Sequence, residues 1–183
     1  MAQSDKNSHE ETKDTFYEQL EHTYDSIPRY YTKIIVGDLN ARVGREEEYK
    51  QTAGSYSLHE NSNNNGVRLI NFAIGKGMVI SSTRLPKKDI YKHTWTSPGG
   101  RFNSQIDHVV IDKRHKSSIT NVRSYRGADA DTDHYLVISD FKVKLSARWS
   151  NAKPKGIEKI DVDRLKNEET RKRYEEKIDN KQQ

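Results

Sequence analysis

The feature that most constrains the fold is residues 33–44, KIIVGDLNARVG, in which an apolar run leads directly into Gly-Asp-Leu-Asn. A short apolar run rich in β-branched residues is typical of a strand, so we expect the run from Ile34 to Val36 to be buried. Gly-Asp-x-Asn is also a common turn sequence. The alternative is that the strand end carries chemistry, because Asp38 and Asn40 would point to the same side of an extended tip.

The composition limits the class of protein. The chain has 183 residues, enough for one domain with tails. Hydrophobic and charged residues each account for 32%, and the apolar ones are concentrated in the middle, which predicts an ordered centre between polar ends. The absence of cysteine excludes disulfides, a thiol nucleophile and a zinc–thiolate site. We expect an intracellular, nuclear protein without membrane association.

The charge balance is basic, with a formal net charge of +5 and an isoelectric point near 9.2. Such a balance is compatible with a polyanionic partner such as nucleic acid. Many basic residues, however, lie in the C-terminal tail among acidic ones, as they do in an ordinary solvated helix. Charge alone therefore does not establish nucleic-acid binding.

The pattern divides the chain into a polar, loose N-terminal segment (residues 1–13), a folded domain (14–145), and a linker with an exposed helical tail (146–183). The folded domain is predicted to contain a helix ending before Pro28, the strand described above, a long polar loop, a second helix and then a run of strands. That order is typical of an α/β (α+β) arrangement in which helices cover one face of a mixed, largely antiparallel sheet. Several strands are apolar on both sides, so the other face also needs a cover.

Acids, amides and a histidine recur at the predicted strand ends. The candidate residues are Asp38, Asn40, Trp95, Asp107, Asp133 and His134. Each alone has a structural explanation, such as a turn, a backbone contact or packing of the tryptophan. Together they match metal-assisted attack on a phosphodiester, which needs a carboxylate to activate water, amide and imidazole groups to hold the phosphate, and an acid to orient the imidazole. Three other histidines are interpreted as surface or packing residues, namely His93, His108 and His115.

The same residues carry a family resemblance. GDLNARVG, Trp95, QIDHVVID and DTDHYLV, in this order, resemble the second half of the endonuclease/exonuclease/phosphatase superfamily. Within it, residues 14–145 are similar to endonuclease domains of non-LTR retrotransposons, especially craniofacial development protein 2-like sequences, in stretches such as NGVRLINFAIGKGMVISST. The C-terminal tail similarly resembles the connector that leads from such an endonuclease towards a reverse transcriptase.

The resemblance implies the C-terminal half of a four-layer α/β/β/α sandwich with a helical tail, and Mg²⁺ or Mn²⁺ as the cofactor. By the same resemblance, Asp38 would align and deprotonate the attacking water, and Asn40 would hydrogen-bond the scissile phosphate. Asp107 would orient His134, which would bind and neutralise the phosphate. Asp133 would lie near the metal, directly or through water.

Some positions depart from the family pattern. Gln105 stands where relatives often carry Arg, Thr132 replaces a frequent Ser, and Leu39 replaces a frequent Phe. A larger departure is that the family's first half, with the Glu that is its main metal ligand, is missing. We therefore expect the chain to begin just after that half ends and to hold half a site.

The leading hypothesis is a fragment of a Mg²⁺-dependent DNA endonuclease of retrotransposon origin that is inactive alone. Its expected partners are DNA, bound weakly through the backbone, and a missing N-terminal half-domain or a downstream reverse transcriptase. Two alternatives stay open. One is a non-catalytic DNA-binding or interaction relic, and the other is a phosphoesterase acting on inositol phosphates or sphingomyelin.

Overall fold

A computed structural model of the protein describes residues 2–128, 132–143 and 167–179. Its helices are α1, Ala2–Ser26; α2, Lys50–Ala53; α3, Asn64–Gly75; and α4, Glu168–Asp179. Its strands are β1, Ile34–Asp38; β2, Met78–Ile80; β3, Trp95–Thr96; β4, Asn103–Ser104; β5, Asp107–Asp112; β6, Ile119–Tyr125; and β7, Leu136–Phe141. In these ranges, no helix combines the length and the hydropathy that crossing a membrane requires.

The central sheet has three antiparallel strands in the order β1–β5–β2. The register places Ile34 opposite Ile111 at one end of the β1–β5 ladder and Asp38 opposite Asp107 at the other. Residues directly opposite each other in an antiparallel ladder point to the same face of the sheet, so Asp38 and Asp107 lie on the same face. β5 is the middle strand, and β1 is an edge strand of this sheet.

Helices α1 and α3 cover one face of the central sheet. The side-chain oxygen of Asn63 accepts the Gly66 N–H at 2.7 Å, which makes Asn63 the N-cap of α3 within the predicted NSNNNG stretch. Tyr17, Leu20 and Tyr24 of α1 pack against the apolar cluster beneath α3. The two helices therefore form one layer over this face.

The β6–β7 pair covers part of the opposite face. Val79, Val109 and Ile111 of the central sheet form an apolar cluster with Ile119 and Val122 of β6. The layers in this unit are therefore helix, central sheet and second sheet. This confirms the α/β fold class with antiparallel sheets that the sequence predicted.

Two details of the sequence prediction are wrong. Ile34 and Val36 were expected to be buried, but they are 38% and 64% exposed, because they lie on an edge strand beyond the cover that β6 and β7 provide. Residues 2–13 were expected to be loose, but they are the first half of α1. The predicted linker at 146–156 lies outside the described residues. Within the predicted tail helix at 161–183, the structure has α4, in which Arg171 Nε contacts Glu175 Oε1 at 3.1 Å.

Candidate active site

Asp38, Asp107 and His134 meet at one end of the β1–β5 ladder. His134 lies just before β7 and is joined to Trp95 by a β-bridge. Its Nδ1 lies 3.3 Å from Asp107 Oδ2, and its Nε2 lies 3.9 Å from Asp38 Oδ2. The first distance is that of a long hydrogen bond, and the second exceeds one. The ring is thus held by Asp107, with its other nitrogen on the side of Asp38.

Thr94 fixes the backbone on both sides of this contact, although no sequence motif singles it out. The residue is 3% exposed, and its Oγ1 accepts hydrogen bonds from the N–H groups of Ile106 and Asp107 at 3.0 and 3.1 Å. Its carbonyl oxygen accepts the N–H of Tyr135 at 2.8 Å. Thr94 therefore ties the start of β5 to the residue that follows His134.

Asn40 is placed by a turn and not by an extended tip, so that part of the sequence reasoning is wrong. β1 ends at Asp38, and Asn40 has a φ of 47°, in the left-handed region that asparagine tolerates better than most residues. Its N–H donates to Asp38 Oδ1 at 2.9 Å, and its carbonyl oxygen accepts from Asn65 Nδ2 at 3.0 Å. The turn still brings Asn40 to the cleft that His134 lines.

Asp133 is bound by Trp95, which the sequence reading treated mainly as a packing residue. The indole Nε1–H of Trp95 donates to Asp133 Oδ2 at 2.7 Å, and the N–H of Thr96 donates to the Asp133 carbonyl oxygen at 2.9 Å. Strand β3 therefore positions the loop that carries both Asp133 and His134. The HTWTS stretch could have indicated this hydrogen-bonding role of Trp95, because threonine side chains flank the tryptophan.

His108 is a buried packing residue that contacts the segment after Asn40. Its Nε2 lies 2.7 Å from the Ala41 carbonyl oxygen, and its Nδ1 lies 2.7 Å from Ser82 Oγ. Burial lowers the pKa of His108 to about 4, so the ring is neutral near pH 7. A carbonyl oxygen only accepts, so Nε2 carries the proton and the Ser82 hydroxyl donates to Nδ1. His108 thereby anchors the segment that follows Asn40.

Gln105 is buried, connects neighbouring segments through hydrogen bonds and is not among the residues that line the cleft. Its Oε1 accepts the Leu58 N–H at 3.0 Å, and its Nε2 donates to the Ser82 carbonyl oxygen at 3.1 Å. Its own N–H donates to His59 Nε2 at 3.1 Å. Burial is also the main cause that lowers the pKa of His59 to about 4. These contacts hold the polar connection against the start of β5.

A cleft of about 260 Å³ opens beside His134. Its lining residues are Asn40, Arg42, Asn63, Trp95, Ser104, Ile106 and His134. Amide, guanidinium and imidazole groups are suitable donors to phosphate oxygens. The chemistry of the cleft therefore matches an anionic, phosphate-bearing substrate.

The described residues do not form a divalent-metal site by themselves. Mg²⁺ prefers carboxylate oxygens, which Asp38 and Asp133 offer. One oxygen of Asp133, however, is engaged by Trp95. Among the residues that the structure describes, no three His, Cys, Asp or Glu side chains are grouped so that they could hold a metal ion.

Comparison with curated proteins identifies close sequence relatives, although no family model matches the chain. The chain is 36% identical over 139 residues to craniofacial development protein 2 of Tragulus javanicus and 35% identical over 139 residues to that of Bos taurus. The alignments cover 76% of this chain but 24% and 23% of those proteins. The chain thus spans about a quarter of the length of these relatives.

Solved structures share the fold. The endonuclease domain of TRAS1, a telomere-specific non-LTR retrotransposon, matches with a TM-score of 0.50 and 16% identity over 72% of this chain and 52% of that one. The 3′-5′ exonuclease NExo from Neisseria meningitidis matches with a TM-score of 0.51 and 18% identity over 73% and 54%. The chain therefore shares the α/β fold of these nucleases and is similar in sequence to craniofacial development protein 2, which agrees with the resemblance to the endonuclease/exonuclease/phosphatase superfamily found in its sequence.

Proposed function

We propose that this chain is part of a Mg²⁺-dependent DNA endonuclease of retrotransposon origin and supplies the phosphate-binding and water-activating side of its active site. The observation that carries the proposal is the contact between His134 and Asp107 beside Asp38. The similarity to the TRAS1 endonuclease domain supports the retrotransposon origin. A NExo structure bound to a product DNA hairpin, which matches with a TM-score of 0.51, supports DNA as the substrate.

The geometry supports the following proposed roles. His134, whose Nδ1–H donates to Asp107, would bind and neutralise the scissile phosphate as an imidazolium that donates from Nε2 to a phosphate oxygen. The side-chain amide of Asn40 donates to the same phosphate from the turn after β1. Asp38 accepts the proton of the attacking water, as a positioned general base does.

We further propose that the described residues are insufficient for hydrolysis. They contain no group of three metal-binding side chains, and the chain spans about half of the solved nuclease chains that it matches. A bound divalent ion supplies transition-state charge stabilisation in metal-assisted hydrolysis. Positioned acid–base groups alone typically contribute only ~10²- to 10⁴-fold, which is too little for phosphodiester cleavage.

A plasmid-nicking assay tests this function. The purified chain with Mg²⁺ or Mn²⁺ is expected to leave supercoiled plasmid intact. Addition of the first half of the endonuclease domain of a close relative is expected to restore nicking. In the restored complex, Asp38→Asn and His134→Ala should each abolish activity, whereas the control Tyr49→Phe should not.

Two results would contradict the proposal. Robust metal-dependent nicking by the chain alone would show that its own residues complete the metal site. Full activity of a restored His134→Ala complex would show that the histidine does not contact the reacting phosphate.

Duplex DNA is the proposed partner and is bound weakly through its backbone. Phosphate contacts release counterions, so the affinity should fall steeply as the salt concentration rises and should not depend on sequence. Fluorescence anisotropy with two unrelated duplexes at several salt concentrations measures both properties. A salt-independent affinity, or no binding at low salt, would contradict this mode of recognition.

The absence of a three-residue metal group from the described part of the chain also favours a second candidate, a non-catalytic DNA-binding relic. DNA binding that persists in EDTA, without cleavage in the restored complex, would support the relic over the endonuclease.

The same complex should be assayed on inositol phosphates and sphingomyelin. Turnover of either one without DNA nicking would identify a phosphoesterase instead.

A further inference from the structure

A basic pocket lies at the end of the β1–β5 ladder that is remote from the candidate active site. It has a volume of about 730 Å³ and is lined by Lys33, which precedes β1, and by Asp112, which ends β5. Asp38 is five residues from Lys33 along β1, or about 17 Å at the usual rise of a strand. The basic pocket is therefore separate from the cleft beside His134.

The basic pocket carries an excess of positive charge. Five basic residues line it against two acidic ones, Asp25 and Asp112. Arg29 and Lys113 are exposed, and their side chains make no hydrogen bond or ion pair with any part of the chain that the structure describes. The other three have partners: Lys76 contacts Glu21 and Asp25, Arg114 contacts Asp112, and Lys33 donates to the Tyr24 carbonyl oxygen. Arg29 and Lys113 are thus available to an anionic ligand.

Two exposed tyrosines follow Arg29 on the loop between α1 and β1. Tyr30 is 73% exposed and Tyr31 is 52% exposed, and their ring centroids lie 4.2 Å apart. Arg114 Nη2, from the wall of the pocket, donates to the Tyr31 carbonyl oxygen and so fixes the loop beside the pocket. Exposed aromatic rings next to available cations are the combination with which proteins bind nucleic-acid strands that have unpaired bases.

We propose that the basic pocket and the Tyr30–Tyr31 pair form a binding site for single-stranded nucleic acid. Arg29 and Lys113 contact successive backbone phosphates, and the tyrosine rings stack on unpaired bases. The bases of a duplex already stack on one another, so a duplex would use the charges but not the rings. The proposal does not depend on the endonuclease function, because it uses none of the residues of the candidate active site.

Fluorescence anisotropy with a labelled 12-nucleotide oligothymidylate tests the site on the full chain. Because each stacked base contributes a measurable share of affinity, Tyr30→Ala should weaken binding about fivefold or more. Arg29→Ala combined with Lys113→Ala should reduce the log–log salt slope by about 1.4, since each single-strand phosphate contact contributes about 0.7. The matched controls are Tyr56→Ala, a tyrosine that is 45% exposed outside the pocket, and Lys50→Ala, a lysine paired with Glu47.

Further comparisons decide the nature of the ligand. An abasic strand of the same length should bind the wild type at least as weakly as oligothymidylate binds Tyr30→Ala. Equal affinity of pocket variants and controls, preference for duplex, or full displacement by inorganic phosphate at matched ionic strength would each overturn the proposal.

Discussion

The free energy of unfolding is expected to fall as the pH is lowered, because His108 is buried in its neutral form. Burial lowers its pKa from an ordinary value of 6.5 to about 4. The unfolded chain takes up a proton on this imidazole near pH 6.5, whereas the folded protein does so only near pH 4. Between these values the unfolded state binds more protons, so acidification favours unfolding.

The magnitude follows from the difference between the two pKa values. At 1.36 kcal/mol for each pKa unit, the stabilisation that depends on neutral His108 is about 3 kcal/mol. It is fully present above about pH 6.5 and is lost progressively down to about pH 4. The pKa of His59 is also lowered to about 4, mainly by burial, so this residue contributes to the dependence in the same window.

Urea denaturation followed by circular dichroism at several pH values between about 7 and about 4.5 measures this dependence. In His108→Gln the amide keeps a donor and an acceptor but does not titrate. This variant should be less stable than the wild type near neutral pH, yet should lose less stability on acidification. His22→Gln, on an exposed part of α1, is the control and should follow the wild type. If His108→Gln and the wild type lost equal stability over this range, the reasoning would be refuted.

Two further outcomes are expected. Thr94→Val removes the oxygen that accepts the N–H groups of Ile106 and Asp107, so the free energy of unfolding should fall by about 1–3 kcal/mol in urea denaturation, whereas Thr94→Ser should retain most of it. Deletion of residues 147–183 should leave the melting temperature nearly unchanged, because their apolar positions are too few to bury a helix face. A large loss of cooperativity after this deletion would show that the tail docks.

Elements with strong local patterns could be predicted from the sequence. β1 and β5 are runs of β-branched residues, and the cap of α3 is an asparagine in a stretch of turn formers. The start of α1 could not be predicted, because residues 2–13 have no apolar periodicity. Part of this helix instead contacts α3 through ion pairs of Arg68 with Glu10 and Asp14, which are more than fifty residues away. Such contacts become visible only once the fold is known.

The sequence indicated candidate residues for the site but not the contacts that hold them in place. The sequence led us to expect a contact between Asp107 and His134, and the structure brings their side chains within 3.3 Å although β5 and β7 lie in different sheets. The left-handed turn at Asn40 depends on Asn65, which holds its carbonyl oxygen from α3. The roles of Thr94 and Trp95 likewise depend on which strand ends meet. A periodicity argument cannot supply contacts between segments distant in sequence.

The exposed face of β1 carries apolar side chains next to the candidate catalytic residue Asp38. Ile34, Val36 and Asp38 alternate along one face, so a layer packed over the two apolar side chains would end beside the carboxylate. Burial of apolar surface contributes about 25 cal/mol per Å², so this cover would favour association while it excludes water near Asp38.

Val36→Lys should therefore impair nicking in a different way from Asp38→Asn. A lysine at this exposed position leaves the fold intact but opposes burial of the face, so more of the added half-domain should be needed to reach half-maximal nicking. At saturation the activity should return, whereas Asp38→Asn should stay inactive at every concentration. Titration of the added half-domain against plasmid nicking measures both curves. A Val36→Lys curve that coincides with the wild type would show that the cover does not pack on β1.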